Sequence, residues 1–194
     1  RKRESFVHIR GCEQMLPFGR DLLDVSKVYL TEYPWDGNTK PRANAELLRQ
    51  LNNGALLWLF FGHGAGFQLC HERAFHVDDV PSLRNQLRLP VAFFGSCGVG
   101  RFDDTRYEAI AEELVRVSEG CIATIGASKA TFSSSNEQFA RTFLGKIVEF
   151  TEQPVGASFY TAWLTPGNYL YILFGDPAIR LQLPVSDSQI MVNP

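Results

Sequence analysis

Four short stretches of the chain are almost unbroken in apolar residues: 56–61 (LLWLFF), 91–94 (VAFF), 121–125 (CIATI) and 170–174 (LYILF). Each is rich in aromatic or β-branched side chains, and a glycine follows each one. That pattern predicts central strands covered on both faces, because a half-exposed strand would alternate with polar residues. Residues 27–30 read as a weaker, more exposed strand, and 179–183 (IRLQL) alternates like an edge strand. Between the strands the apolar period lengthens to that of helices. Residues 43–52 carry Leu47, Leu48 and Leu51 on one face. A second helix is predicted behind a Thr105-x-x-Glu108 capping box, with Tyr107, Ile110, Ala111, Leu114 and Val115 at helical spacing. A third opens at Ser135-x-x-Gln138 and carries Phe139, Phe143, Ile147 and Phe150, and 154–163 reads as a fourth. Strands alternating with helices imply an α/β fold, a three-layer sandwich around a mostly parallel or mixed sheet. Linker-like stretches are short, at 35–40 and 165–168, so residues 1–194 read as a single domain.

Composition narrows the function classes. The chain has 194 residues, enough to bury a full core without staples. Its formal net charge is −2, from 19 basic and 21 acidic residues, which gives no reason to expect a nucleic-acid partner. The one basic cluster, Arg1-Lys2-Arg3, reads as a solvated terminus. No apolar run approaches the ~20 residues of a membrane span, and Phe6-Val7-His8-Ile9 is too short for a signal-peptide core. The sequence has no initiator Met, which points to a processed or excised piece. The four cysteines, at 12, 70, 97 and 121, show no CxxC spacing, so neither a zinc ribbon nor a thioredoxin motif is expected. Cys121 reads as a buried strand residue and Cys12 as a semi-buried one.

The chemistry is expected beyond the carboxyl ends of the strands, where open α/β sheets bind ligands. Two of these ends carry reactive groups: Phe61-Gly62-His63-Gly64-Ala65-Gly66 and Gly95-Ser96-Cys97-Gly98-Val99-Gly100. If the two strands are parallel neighbours, His63 and Cys97 emerge on one edge, and their separation leaves room for the crossover that parallel strands need. An imidazole beside a thiol suits nucleophilic catalysis, since the thiolate is the reactive form. The backbone N–H groups of Gly64 and Cys97 would then face a substrate carbonyl oxygen as an oxyanion hole. Other groups carry weaker signals. His71 and His76 flank Glu72, but the spacing is not that of a HExxH zinc helix, and no metal site is expected. Cys70 lies among polar loop residues and reads as a bystander. Asp104 or Thr105 reads as a helix cap, with Asp103 beside it. The polar loop 131–136 could line a cleft or merely start a helix.

These residues also carry a resemblance. Asn53-Gly54-Ala55-Leu56 leading to Phe61-Gly62-His63-Gly64, and Leu89-Pro90 through Ser96-Cys97-Gly98 to Phe102-Asp103, are similar to the gingipain family of cysteine peptidases, in the caspase-like clan. Residues 110–114 followed by 120–128, the closing Phe174-Gly175-Asp176-Pro177-Ala178-Ile179-Arg180-Leu181, and the early stretch 25–34 fit the same family, so the likeness spans about residues 25–183. The resemblance implies a caspase-like sandwich in which His63 is the general base and Cys97 the nucleophile of a cysteine endopeptidase. It further implies a protein or peptide substrate, a secreted or cell-surface location, and a chain that corresponds to the C-terminal catalytic subdomain, with an N-terminal portion of the same protein as its partner. Calcium enters by this analogy alone, and no other cofactor is expected. Family members can orient the histidine with an acid from a preceding strand. Glu4 is the one acid near that place, and it is out of register. The resemblance also leaves two alternatives to hydrolysis: a sortase-type transpeptidase of type IX secretion using the same pair, and a catalytically silent caspase-like interaction domain. Trp163 and the 129–136 loop are expected to wall the specificity pocket.

Overall fold

The computed structural model describes residues 5–9, 24–150 and 152–183. Its centre is a six-stranded sheet in the order β2-β1-β3-β6-β7-β8, built from β1 (Ser5–Ile9), β2 (Asp24–Lys27), β3 (Leu57–Phe61), β6 (Val91–Gly95), β7 (Ala123–Ala127) and β8 (Tyr171–Gly175). All neighbours are parallel except β7 and β8, which run antiparallel. A separate two-stranded hairpin, β4 (Gln68–Leu69) with β5 (Phe75–His76), stands outside it.

The unbroken apolar runs are explained by what covers the sheet. Along β3, Trp58 and Phe60 turn to one face and meet Leu47 and Leu51 of α1 (Pro41–Asn52) and Ile110 and Leu114 of α2 (Ile110–Arg116). Leu57, Leu59 and Phe61 turn to the other and meet Phe139, Phe143 and Ile147 of α3 (Ser133–Glu149) and Val155 and Ala162 of α4 (Val155–Trp163). Alternate residues thus enter two different cores, and the polar side chain of Thr124, buried within β7, donates its hydroxyl to Ala111 O. Aromatic rings fill both: Trp58 meets Phe75 and Phe94 edge-on, and Phe93 stacks on Phe139 at 5.3 Å. Burying each such side chain contributes about 1.5–3 kcal/mol. The structure is therefore the three-layer α/β sandwich with a mostly parallel sheet that the pattern predicts. Among the described residues no helix is long and apolar enough to cross a membrane.

Several element boundaries differ from the sequence expectation, each for a local reason. The third strand lies at Ala123–Ala127, two residues later than 121–125. Cys121 is buried, but its N–H donates to Leu114 O and belongs to the turn leaving α2. The exposed strand expected at 27–30 is β2, ending at Lys27, and Leu30–Glu32 forms a 3-10 turn instead. Residues 179–183 form no strand. Leu181 is drawn into the core beside α4, and a single bridge joins Arg180 to Pro154. The Thr105 capping box does not form, because Asp104 takes the guanidinium of Arg106, and the helix begins only at Ile110, whose N–H donates to Gly66 O. The third helix opens at Ser133 rather than Ser135. Ser5–Ile9, which carries no strong strand signal of its own, is inserted as β1 between β2 and β3. Arg1-Lys2-Arg3, Glu4 and Cys12 lie outside the described residues.

Candidate active site

The two reactive strand ends are brought together. β3 and β6 are paired in parallel with Phe61 opposite Gly95, and the Gly62 N–H donates to Gly95 O to extend the pairing. His63 and Cys97 each follow the last matched pair by the same number of residues. Neighbouring strands lie about 4.8 Å apart, so both side chains start from one short stretch of a single rim. They line one cleft of about 550 Å³ together with Phe61, Gly62, Gly95, Thr131, Phe132, Ser133, Asn136 and Glu137.

Cys97 is held tightly. Its thiol donates to Thr131 O at 3.6 Å, and the Thr131 N–H donates to the sulfur at 3.4 Å. On either side, Ser96 is fully buried and the Gly98 N–H donates to Lys129 O at 3.0 Å. Gly98 has φ +65°, a left-handed conformation that glycine adopts without strain, so the chain can turn sharply beneath the sulfur. Cys97 nevertheless remains partly exposed, whereas Cys121 is sealed, and burial pushes the Cys121 thiol pKa up.

His63 is held loosely. It is exposed, and its ring lies 5.9 Å from that of His71, between centroids. Among the described residues no carboxylate lies within ion-pair distance of His63. The backbone beneath it is fixed: the Cys70 N–H donates to His63 O and the Ala65 N–H to Gln68 O, which bridges Gly64 to Leu69. In this bridge the hydrogen bonds belong to the neighbours of Gly64, so its own N–H faces away from the β4 ladder. Among the described residues neither the Gly64 N–H nor the Cys97 N–H has an acceptor. Gly64 also packs against the loop that carries Cys97: a Cβ there would lie 2.3 Å from Ser96 Oγ and 3.0 Å from Val99.

The remaining candidates fall into place around this pair. His71 sits beside His63, while His76 accepts from the Asp78 N–H and caps the 3-10 turn Val77–Ser82. Among the described residues no group of three His, Cys, Asp or Glu side chains converges on a metal position. Cys70 is half-buried against the core rather than adrift in a polar loop. Asp104 accepts from Arg106, which holds its carboxyl well below the usual range. The 131–136 loop does line the cleft, but Trp163 packs with Tyr160 and Tyr169 instead. Two features escape a reading of the sequence. The Thr131 main chain clamps the sulfur, and buried Asn136 accepts from the Tyr171 hydroxyl through Oδ1, leaving Nδ2 as a donor. Burial pushes the Tyr171 phenol pKa up.

This architecture is shared with solved structures. The Arg-specific cysteine proteinase gingipain R superposes with a TM-score of 0.75 at 18% identity, over 93% of this chain and 48% of that one. The complex of RgpB pro- and mature domains of Porphyromonas gingivalis gives 0.73 at 17% identity, over 93% and 49%. The Saccharomyces cerevisiae separase–securin complex gives 0.54 at 12%, over 89% and 12%. The fold is therefore the caspase-like sandwich. Residues 8–182 match the profile of peptidase family C25, and the chain belongs to that family. No curated protein sequence matches it. The chain spans about half the length of the gingipain chains it resembles.

Proposed function

We propose that this chain is the catalytic unit of a cysteine endopeptidase in which Cys97 is the nucleophile and His63 the general base. The observation that carries this reading is the placement of both side chains in one cleft at the ends of paired parallel strands. The Cys97 sulfur attacks a scissile carbonyl carbon, and the oxygen takes up negative charge against the Gly64 and Cys97 N–H groups. Each such donor is worth about 2.7–4 kcal/mol in the transition state. The C–N bond then breaks, and His63 gives the thiol's proton to the departing amine. Water, deprotonated by His63, attacks the thioester and releases the acid and the free thiol.

The Thr131 clamp supports this assignment because it fixes the sulfur without burying it. The substrate is a peptide or protein, and the residues beyond this chain that the longer gingipains possess would complete its binding surface. One experiment tests the reading. Peptide cleavage by the full chain should vanish in Cys97→Ala and fall steeply in His63→Ala, and near wild-type cleavage by both overturns it. Running the same assay with an added amine separates hydrolysis from transpeptidation: ligated product detected by mass spectrometry would assign the acyl group's acceptor to the amine rather than to water.

A further inference from the structure

Cys97 borders a second cleft, of about 420 Å³, lined by Gly64, Ala65, Gly66, Gly98, Arg101, Tyr107, Ser128, Lys129 and Ala130. Cys97 is the one residue common to this cleft and the one shared with His63, so the two clefts adjoin at Cys97. The two sides differ in charge. The first cleft has aromatic walls and one charged group, Glu137, which Arg141 holds at 2.9 Å. The charged groups of the second are both cations. Lys129 is exposed, and among the described residues no carboxylate lies within ion-pair distance of its ammonium. Arg101 reaches Asp103 and Asp104 only at 3.9 Å each, and Asp104 is already engaged by Arg106 at 2.6 and 2.8 Å. Both cations are anchored to the cysteine loop: the Gly98 N–H donates to Lys129 O, and the Arg101 N–H donates to Gly98 O.

We propose that the second cleft is a subsite for an acidic side chain, Asp or Glu, on the leaving-group side of the scissile bond. The assignment rests on the cysteine-peptidase reading above. A peptide whose scissile carbonyl lies at the sulfur must lead its two halves away from Cys97 in different directions, and the two clefts that adjoin there offer a path for each. The acyl half stays on the sulfur until the second step releases it and suits the larger, aromatic-walled cleft, whose lining includes buried Asn136. The leaving half must depart after the first step. An exposed pair of cations suits that half, because solvent-screened ion pairs select a charge without holding it strongly. Arg101 offers a planar fork of donors to a carboxylate and Lys129 a point charge.

The test has two arms. In the first, wild-type full chain digests a random peptide library and the cut sites are sequenced. Asp and Glu should be enriched about three- to tenfold over Lys and Arg at the first or second position after the cut, less so in high salt, and the order should reverse in R101E/K129E. In the second, immobilised Cys97→Ala full chain selects peptides from the same library without cleaving them. Acidic sequences should be retained, and the preference should disappear in C97A/R101E/K129E. Equal retention of acidic and basic peptides, or a preference unchanged by the charge reversal, overturns the subsite. Absence of cleavage together with charge-dependent retention would sink the peptidase reading and leave the anion subsite standing.

Discussion

The ends of β3 and β6 are built to one plan and held in opposite ways. Each strand is a buried apolar run, each is paired to the other in register, and each is followed at the same distance by its reactive side chain. Beyond that the symmetry fails. Cys97 is clamped by both main-chain polar groups of Thr131, above a buried Ser96 and a Gly98 that hydrogen-bonds to Lys129. His63 is exposed, and among the described residues its ring pairs with another exposed imidazole, that of His71. Under the proposed mechanism the clamp would fix the nucleophile, and the exposure of His63 would leave the base room to serve sulfur and leaving amine in turn. That division suits the chemistry: bond formation at sulfur needs fixed geometry, while proton transfer must serve two partners in turn.

The largest effects should come from the two reactive groups, and they should be unequal. Cys97→Ala removes the atom that bonds to the substrate, so cleavage should fall about 10⁴-fold or more with no acyl-enzyme trapped by mass spectrometry. His63→Ala leaves the clamped thiol in place. Its rate should fall about 10²–10⁴-fold, and slow alkylation of Cys97 should persist. Loss of Cys97 alkylation in His63→Ala, together with a loss of turnover as large as that of Cys97→Ala, would mean that the strand ends collapse together and are not independently held.

A substitution where the two ends touch sharpens the contrast. Gly64→Ala would bring a Cβ against Ser96 Oγ and the Val99 side chain, in the buried stretch that follows β6. The Gly64 N–H is displaced to the extent that those side chains do not turn aside. Turnover should drop about 10²-fold, in the range for one lost oxyanion donor, with substrate affinity little changed. Ser96→Ala in the same chain removes the clashing oxygen and should restore part of the rate, a non-additive pair measured by a double-mutant cycle. No rescue would show that Gly64 acts through something other than its fit against Ser96. Alkylation offers a smaller but direct reading of the cysteine end: with native protein and iodoacetamide, Cys97 should label at least about tenfold faster than Cys121, whose thiol burial keeps protonated.

How much of this the sequence discloses depends on which atoms carry the information. The strands β3 and β6 are legible because both faces are covered, so every position must be apolar. The glycines around His63 and Cys97 mark the rim for the same kind of local reason. β1 is not legible: Phe6-Val7-His8-Ile9 becomes a strand through its partners on either side, which lie far away in sequence. The 179–183 stretch shows the converse, a strand-like alternation that lays Ile179, Leu181 and Leu183 on the core without forming a strand. In the site, the clamp on Cys97 is made by main-chain atoms of Thr131, which any residue type could supply, so no side-chain motif announces it. The cations of the second cleft escape for another reason: Arg101 and Lys129 line one cleft because hydrogen bonds at Cys97, Gly98 and Gly100 tie the turns after β6 and β7 together.

The smallest expected effect bears on the looser end. His71 occupies the turn between β4 and β5, and that hairpin is joined to the catalytic loop by the Cys70 N–H donating to His63 O at 2.8 Å. Cys70 and Arg73 on either side hold φ +60° and +55°, so the turn is set by its backbone and not by the imidazole. Removing the ring in His71→Ala therefore leaves the His63 backbone where it is and deletes only a neighbour to its side chain. If His63 works by moving freely between two partners, turnover should change by less than about threefold, and the pH profile should keep its shape. A loss near that of His63→Ala, rescued by an aromatic residue such as Phe at position 71, would show instead that the base is oriented by ring contact, and the contrast between a fixed nucleophile and a mobile base would fail.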